Sequence, residues 1–175
     1  MNLVLIGYRG TGKSTVGKLL AQRLGYRYVG LDDEIVRLAG RTIPEIVEAG
    51  GWETFRDLEA EVVRQTAVLD RCVLDTGGGV VLRDENVRHL QRNGVLFLLV
   101  SEIGDIVARI ESGTSRPSLT GNKSFTVEVE EVLRERQPKY QAAARHVIDT
   151  SRLPSAEAVD LIEELFRRAV APARD

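Results

Sequence analysis

Gly7-Tyr8-Arg9-Gly10-Thr11-Gly12-Lys13-Ser14-Thr15 decides how this chain folds. The stretch fits G-x-x-x-x-G-K-[ST], the loop whose backbone amides curl round a phosphate. Its glycines reach backbone angles that side chains would forbid and let the main chain approach an anion closely. The context on both sides agrees. Leu3–Ile6 before it is an unbroken apolar run, which predicts a buried strand. Lys13–Leu24 after it carries Val16, Leu19, Leu20, Ala21 and Leu24 at helical spacing. A helix starting there points the positive end of its dipole at the anion. Gly10, Thr11, Gly12, Lys13, Ser14 and Thr15 are therefore expected to bind the phosphates of a nucleoside triphosphate. Lys13 bridges the β- and γ-phosphates in this reading, and the Ser14 hydroxyl ligates Mg2+.

Outward from the loop, short β-rich runs alternate with amphipathic helical stretches. Tyr26–Val29, Cys72–Asp75, Val95–Val100 and His146–Ile148 read as further strands. Helices are predicted at Asp33–Ala39, Pro44–Glu48, Glu53–Leu69, from a capping Asp84 to Asn93, after a capping Ser101, at Phe125–Ala144 and at Ala156–Val170. Such alternation predicts an α/β fold, a three-layer α/β/α domain on a five-stranded parallel sheet. Ligands of such sheets sit beyond the carboxyl ends of the strands. Gly113–Lys123 is a polar loop rich in glycine and serine, and that composition predicts movement.

At 175 residues the chain is expected to form one domain over 1–175. A net charge of −2 offers no basic field for nucleic acid or an acidic membrane. No run approaches the roughly 20 apolar residues of a membrane span, and the start lacks the pattern of a signal peptide. A cytoplasmic protein is the expectation. The single cysteine, Cys72, lies in an apolar run and reads as a core thiol, and two isolated histidines give no zinc constellation.

A phosphate loop does not choose between a GTPase, a motor ATPase and a kinase of small molecules. Further motifs narrow the choice. Asp32 stands eight residues before Gly40. Gly51-Trp52-Glu53-Thr54-Phe55-Arg56 and Glu59 follow, then Thr76-Gly77-Gly78-Gly79, Arg116-Pro117-Ser118-Leu119 and Arg136-Gln137-Pro138-Lys139-Tyr140. On residue chemistry alone, Arg56 is equally a helix-surface partner of Glu59, and Arg136 a solvated helix charge. In this order and spacing, however, the set resembles the shikimate kinases, from the phosphate loop almost to the last strand. The resemblance implies a P-loop kinase fold that phosphorylates the 3-hydroxyl of shikimate with ATP. It implies that Arg56 and Arg136 grip the substrate carboxylate, for which a guanidinium fork is suited. Asp32 accepts the proton of the attacking hydroxyl, and Gly78 contacts shikimate. Lys13, Asp32 and Arg116 become the catalytic residues, Arg116 closing over ATP from the polar loop, which in the family is a lid. Arg152, in Thr150–Pro154, becomes the candidate to stack on adenine. No oligomer is implied, so a monomer is expected.

The family pattern breaks at one place. Its second strand ends in Asp-x-Asp, the first acid helping to hold hydrated magnesium, whereas here the stretch reads Gly30-Leu31-Asp32. Val73-Leu74-Asp75 ends the next strand in an acid instead, which makes Asp75 the expected magnesium carboxylate beside Ser14. Two other readings stay open on sequence: a kinase of gluconate or nucleoside monophosphates, and a catalytically inactive relative that binds ligand for regulation.

Overall fold

The computed structural model describes residues 1–111 and 125–171. The expected lid at 113–123, with Arg116, lies outside the described residues.

Five parallel strands form the sheet: β1 (Asn2–Ile6), β2 (Arg27–Gly30), β3 (Cys72–Asp75), β4 (Gly94–Val100) and β5 (His146–Asp149), in the order β2-β3-β1-β4-β5. Period-two alternation along the strands sorts the apolar side chains into two layers. Val4, Ile6, Leu74, Leu96 and Leu98 point to one face. Helices α2 (Leu31–Ala39), α3 (Ile43–Ala67), α4 (Asp84–Arg92) and α6 (Phe125–Ala143) cover that face through Ile35, Val62, Val63, Leu90 and Tyr140. Leu3, Leu5, Val73, Val95, Phe97 and Leu99 point the other way, against α1 (Lys13–Leu24) and α7 (Ser155–Val170). Each such leucine, isoleucine or phenylalanine contributes about 1.5–3 kcal/mol relative to exposure. A smaller cluster of Tyr8, Ile106, Val129 and Val132 seats α5 (Ile103–Glu111) and α6 against the phosphate loop.

The strand order sets the site. The chain passes from β3 to β4 across β1, so the loops leaving β1 and β3 open a crevice at their carboxyl ends. Among the described residues, no helix is long and apolar enough to cross a membrane.

The two helices expected at 44–48 and 53–69 are the two arms of α3, which meet at a kink at Gly51, whose φ of 73° and ψ of 178° only glycine adopts easily. That break swings Trp52, Phe55 and Arg56 towards the crevice. Asp84 is the first residue of α4, not its cap; the capping position belongs to Arg83. Ser101 does not cap α5, whose first turn is closed by the Glu102 carbonyl accepting from the Ile106 amide at 3.1 Å. Helix α2 begins at Leu31 directly from Gly30, so Asp32 and Asp33 sit in its first turn, where their charge favours the dipole.

Candidate active site

Gly7 and Gly12 show why the phosphate loop needs glycine. Gly7 has φ 137°, and a Cβ there would run into the Leu99 carbonyl. Gly12, at φ 88°, precedes α1 with no side chain capping the helix, so the first-turn amides point out of the loop. The first turn of α1 contains no acidic residue to compete for them. The Lys13 ammonium is buried and donates to the carbonyls of Gly7 at 2.8 Å and Tyr8 at 2.9 Å. The Thr11 hydroxyl donates to the Tyr8 carbonyl at 2.8 Å, and Thr150 donates to the Thr11 carbonyl at 2.9 Å, tying the loop after β5 to the phosphate loop.

Beside the loop lies a cleft of about 520 Å³, with Gly10, Gly12, Lys13, Ser14, Thr15, Asp32, Asp33, Asp75 and Arg109 on its walls. Ser14 and Asp75, 61 residues apart in sequence, meet here: the Ser14 hydroxyl donates to Asp75 Oδ2 at 2.6 Å. The Tyr28 hydroxyl donates to the same oxygen at 2.7 Å. Burial, and then the Asp75 charge, push the Tyr28 phenol up, so it remains a donor. A hydroxyl and a carboxylate side by side suit a hard divalent cation, which prefers oxygen. Among the described residues no three His, Cys, Asp or Glu side chains converge to cage an ion by themselves. That composition fits magnesium, which keeps waters and phosphate oxygens and takes few protein ligands.

A second, smaller cavity of about 60 Å³ adjoins the cleft. Trp52, Phe55, Arg56, Glu59, Arg136 and the glycines 77–79 enclose it. Arg56 Nη1 donates to Glu59 Oε2 at 2.7 Å, with the guanidinium 5.1 Å from the Phe55 ring centre and 5.7 Å from that of Trp52. Arg136 is buried and donates to the Gly78 carbonyl at 3.1 Å, and the Tyr140 hydroxyl donates to the same carbonyl. Two guanidinium groups held in a half-apolar cavity have the charge and fork geometry that suit a small carboxylate. Asp32, Arg9, Gly77 and Gly78 line both cavities. An acceptor held in the small one thus has Asp32 on the side that faces the phosphate loop.

The structure brings together Lys13, Ser14, Asp32, Arg56, Asp75, Gly78 and Arg136. It does not bring in Arg152, which is 79% exposed, pairs with Asp149 at 3.3 Å and is absent from the cleft wall. Its loop turns outward because Asp149 holds Ser151 and Arg152 in a local turn. Arg109, which sequence reasoning missed, occupies that end of the cleft and donates to the Gly10 carbonyl at 3.1 Å and the Thr150 carbonyl at 3.4 Å. A basic residue in the last turn of a short helix looks like an ordinary dipole partner, so the sequence held no signal for it. Arg9 reaches Glu128 on α6 at 3.4 Å, a pairing that local spacing could not reveal.

One cradle for a polyphosphate joined to a small cavity for an anion is the layout of a P-loop kinase of small molecules. The comparisons narrow that class. The shikimate kinase family profile matches residues 9–167. A shikimate kinase from Thermodesulfovibrio yellowstonii is 40% identical over 95% of each chain, and one from Nitratidesulfovibrio vulgaris is 45% identical over 82% of this chain and 83% of its own. The structure of the Acinetobacter baumannii shikimate kinase in complex with shikimate superposes with a TM-score of 0.86 at 30% identity, covering 97% of this chain and 92% of that one. The Bacteroides thetaiotaomicron shikimate kinase gives 0.87 at 26% identity, over 95% and 98%. This chain belongs to the shikimate kinase family.

Proposed function

We propose that the protein transfers the γ-phosphate of ATP to the 3-hydroxyl of shikimate, giving shikimate 3-phosphate and ADP. The observation that carries this is Asp32 on the wall common to the phosphate cleft and the arginine-lined cavity. Arg56 and Arg136 hold the shikimate carboxylate, which turns the hydroxyls towards Asp32, while Gly78 lets the ring approach the backbone. Asp32 takes the proton as the 3-oxygen bonds to the γ-phosphorus. The bond to the β–γ bridging oxygen breaks, and ADP leaves with that oxygen. Lys13 stays with the β- and γ-phosphates, and the loop amides of Gly10–Thr15 hold the chain of phosphates in line. Arg116, which the family pattern places over ATP, adds positive charge to the transferring group. Arg109 takes the outer end of the nucleotide cleft in place of Arg152. Ser14 and Asp75 would hold magnesium, which would supply positive charge to the transferring phosphate.

In this reading residues 1–175 act as one kinase domain, a cytoplasmic monomer. The intact Lys13, Asp32 and arginine set speaks against an inactive regulatory relative. The arginine cavity speaks against a kinase of gluconate or nucleoside monophosphates. The test is ADP release with ATP and magnesium across shikimate, gluconate and nucleoside monophosphates. Stimulation by shikimate alone is expected, and ATP binding without shikimate-dependent ADP release would refute the assignment.

A further inference from the structure

The acid that the family pattern puts at position 30 is missing, and another carboxylate stands in the space. Gly30 closes β2 and pairs in register with Asp75 of β3. A Cβ built on Gly30 would lie 2.9 Å from Asp33 Oδ2, and 3.6 Å from both Asp33 Cγ and the Tyr28 hydroxyl. The Asp33 carboxylate thus folds back from the first turn of α2 over the end of the strand. It lies on the same cleft wall as Ser14 and Asp75. Tyr28 spends its proton on Asp75, so Asp33 gains no hydrogen bond from it.

Asp33 and Asp75 present two carboxylates to one cleft, and among the described residues Asp33 makes no ion pair. A divalent cation at the strand ends would neutralise both. We propose that Asp33 supplies a second carboxylate to the magnesium site, reaching the ion through water across the Gly30 backbone that a side chain would otherwise cover. It is a positioning residue: it orders the waters of the ion and adds charge, without ligating directly. Gly30 is then a requirement for this arrangement, not a defect in it. The inference rests on the reading that Ser14 and Asp75 hold the ion.

The experiment measures Mn2+ affinity of the purified protein with ADP bound, by the loss of the free-ion electron paramagnetic resonance signal. ADP affinity in EDTA serves as the control for folding and for the phosphate loop. Asp33→Asn keeps the shape and is expected to weaken Mn2+ about 10-fold, the lower end of the effect seen on removing partners of metal ligands. Gly30→Ala pushes only the flexible end of Asp33 and is expected to weaken Mn2+ in the same direction. The double variant Gly30→Ala/Asp33→Asn is expected to be no weaker than Asp33→Asn alone, because both changes remove one interaction. Asp75→Asn separates the two levels of the argument. If Asp75→Asn weakens Mn2+ but Asp33→Asn does not, the role of Asp33 is overturned while the ion site stands. If neither does, the ion site itself is misplaced. Full additivity of the Gly30 and Asp33 changes would also overturn the proposal.

Discussion

The guanidinium of Arg56 occupies the place that a Cβ at Gly79 would take. A side chain at position 79 would therefore displace Arg56, because the arginine of the small cavity lies flat against the glycine. Gly79→Ala should push Arg56 off its platform of Phe55 and Trp52 while leaving the phosphate loop untouched. Losing one side of a buried charged contact costs about 2–5 kcal/mol, so shikimate affinity should fall roughly 30-fold or more. Isothermal titration with shikimate and with ADP checks this; an equal loss for both ligands would point to general damage instead.

The two cavities predict a division of labour. Lys13→Ala should strike nucleotide binding and turnover together, because its ammonium lies within the loop at the Gly7 and Tyr8 carbonyls. Arg136→Ala should mainly reduce shikimate affinity, again by roughly 30-fold or more. Unchanged shikimate affinity in Arg136→Ala would mean that the carboxylate binds elsewhere.

Asp75→Asn keeps the shape of the side chain and can still accept from Ser14 and Tyr28. It removes only the negative charge. Turnover should drop substantially and recover in part at high magnesium, with shikimate affinity little altered. Initial rates across a magnesium series check it, and a normal magnesium dependence would remove Asp75 from the ion site.

The sheet was legible because its evidence is local. Continuous apolar runs such as Val95–Val100 can only be buried strands between helices, and the phosphate loop carries its own strand and helix. Arg56 and Arg136 needed the family pattern, since a single helical arginine near an acid looks the same on a surface as in a cavity. What stayed hidden depends on long-range packing. Tyr28 reads as strand filler, yet its hydroxyl reaches Asp75 47 residues away. Arg109 reaches across 99 residues to Gly10. The Asp84 and Ser101 caps failed because capping is settled by the residue where the chain turns, and that turn fell one residue earlier for α4 and one later for α5.

Glu59 allows a prediction with a definite sign. Its side chain is 1% exposed, with Oε2 on Arg56 at 2.7 Å, while Oε1 has no hydrogen-bond partner among the described residues. Burial pushes its carboxyl above the ordinary glutamate value, and the Arg56 guanidinium opposes that rise without cancelling it. The folded protein therefore holds this proton more tightly than the unfolded chain does. Its contribution to stability is greatest in acid and is lost as pH rises from the ordinary glutamate value through the raised one. Glu59→Gln removes the titration and leaves Arg56 without its charged partner, a penalty that does not change with pH. The offset between the two proteins is thus uninformative, whereas its slope is not. Urea unfolding midpoints of both proteins, measured from acid to neutral pH, should show wild type losing ground to Glu59→Gln as pH rises. A flat difference, or one with the opposite slope, would mean that the ion pair with Arg56 outweighs burial and that Glu59 enters the fold as a fully stabilised carboxylate.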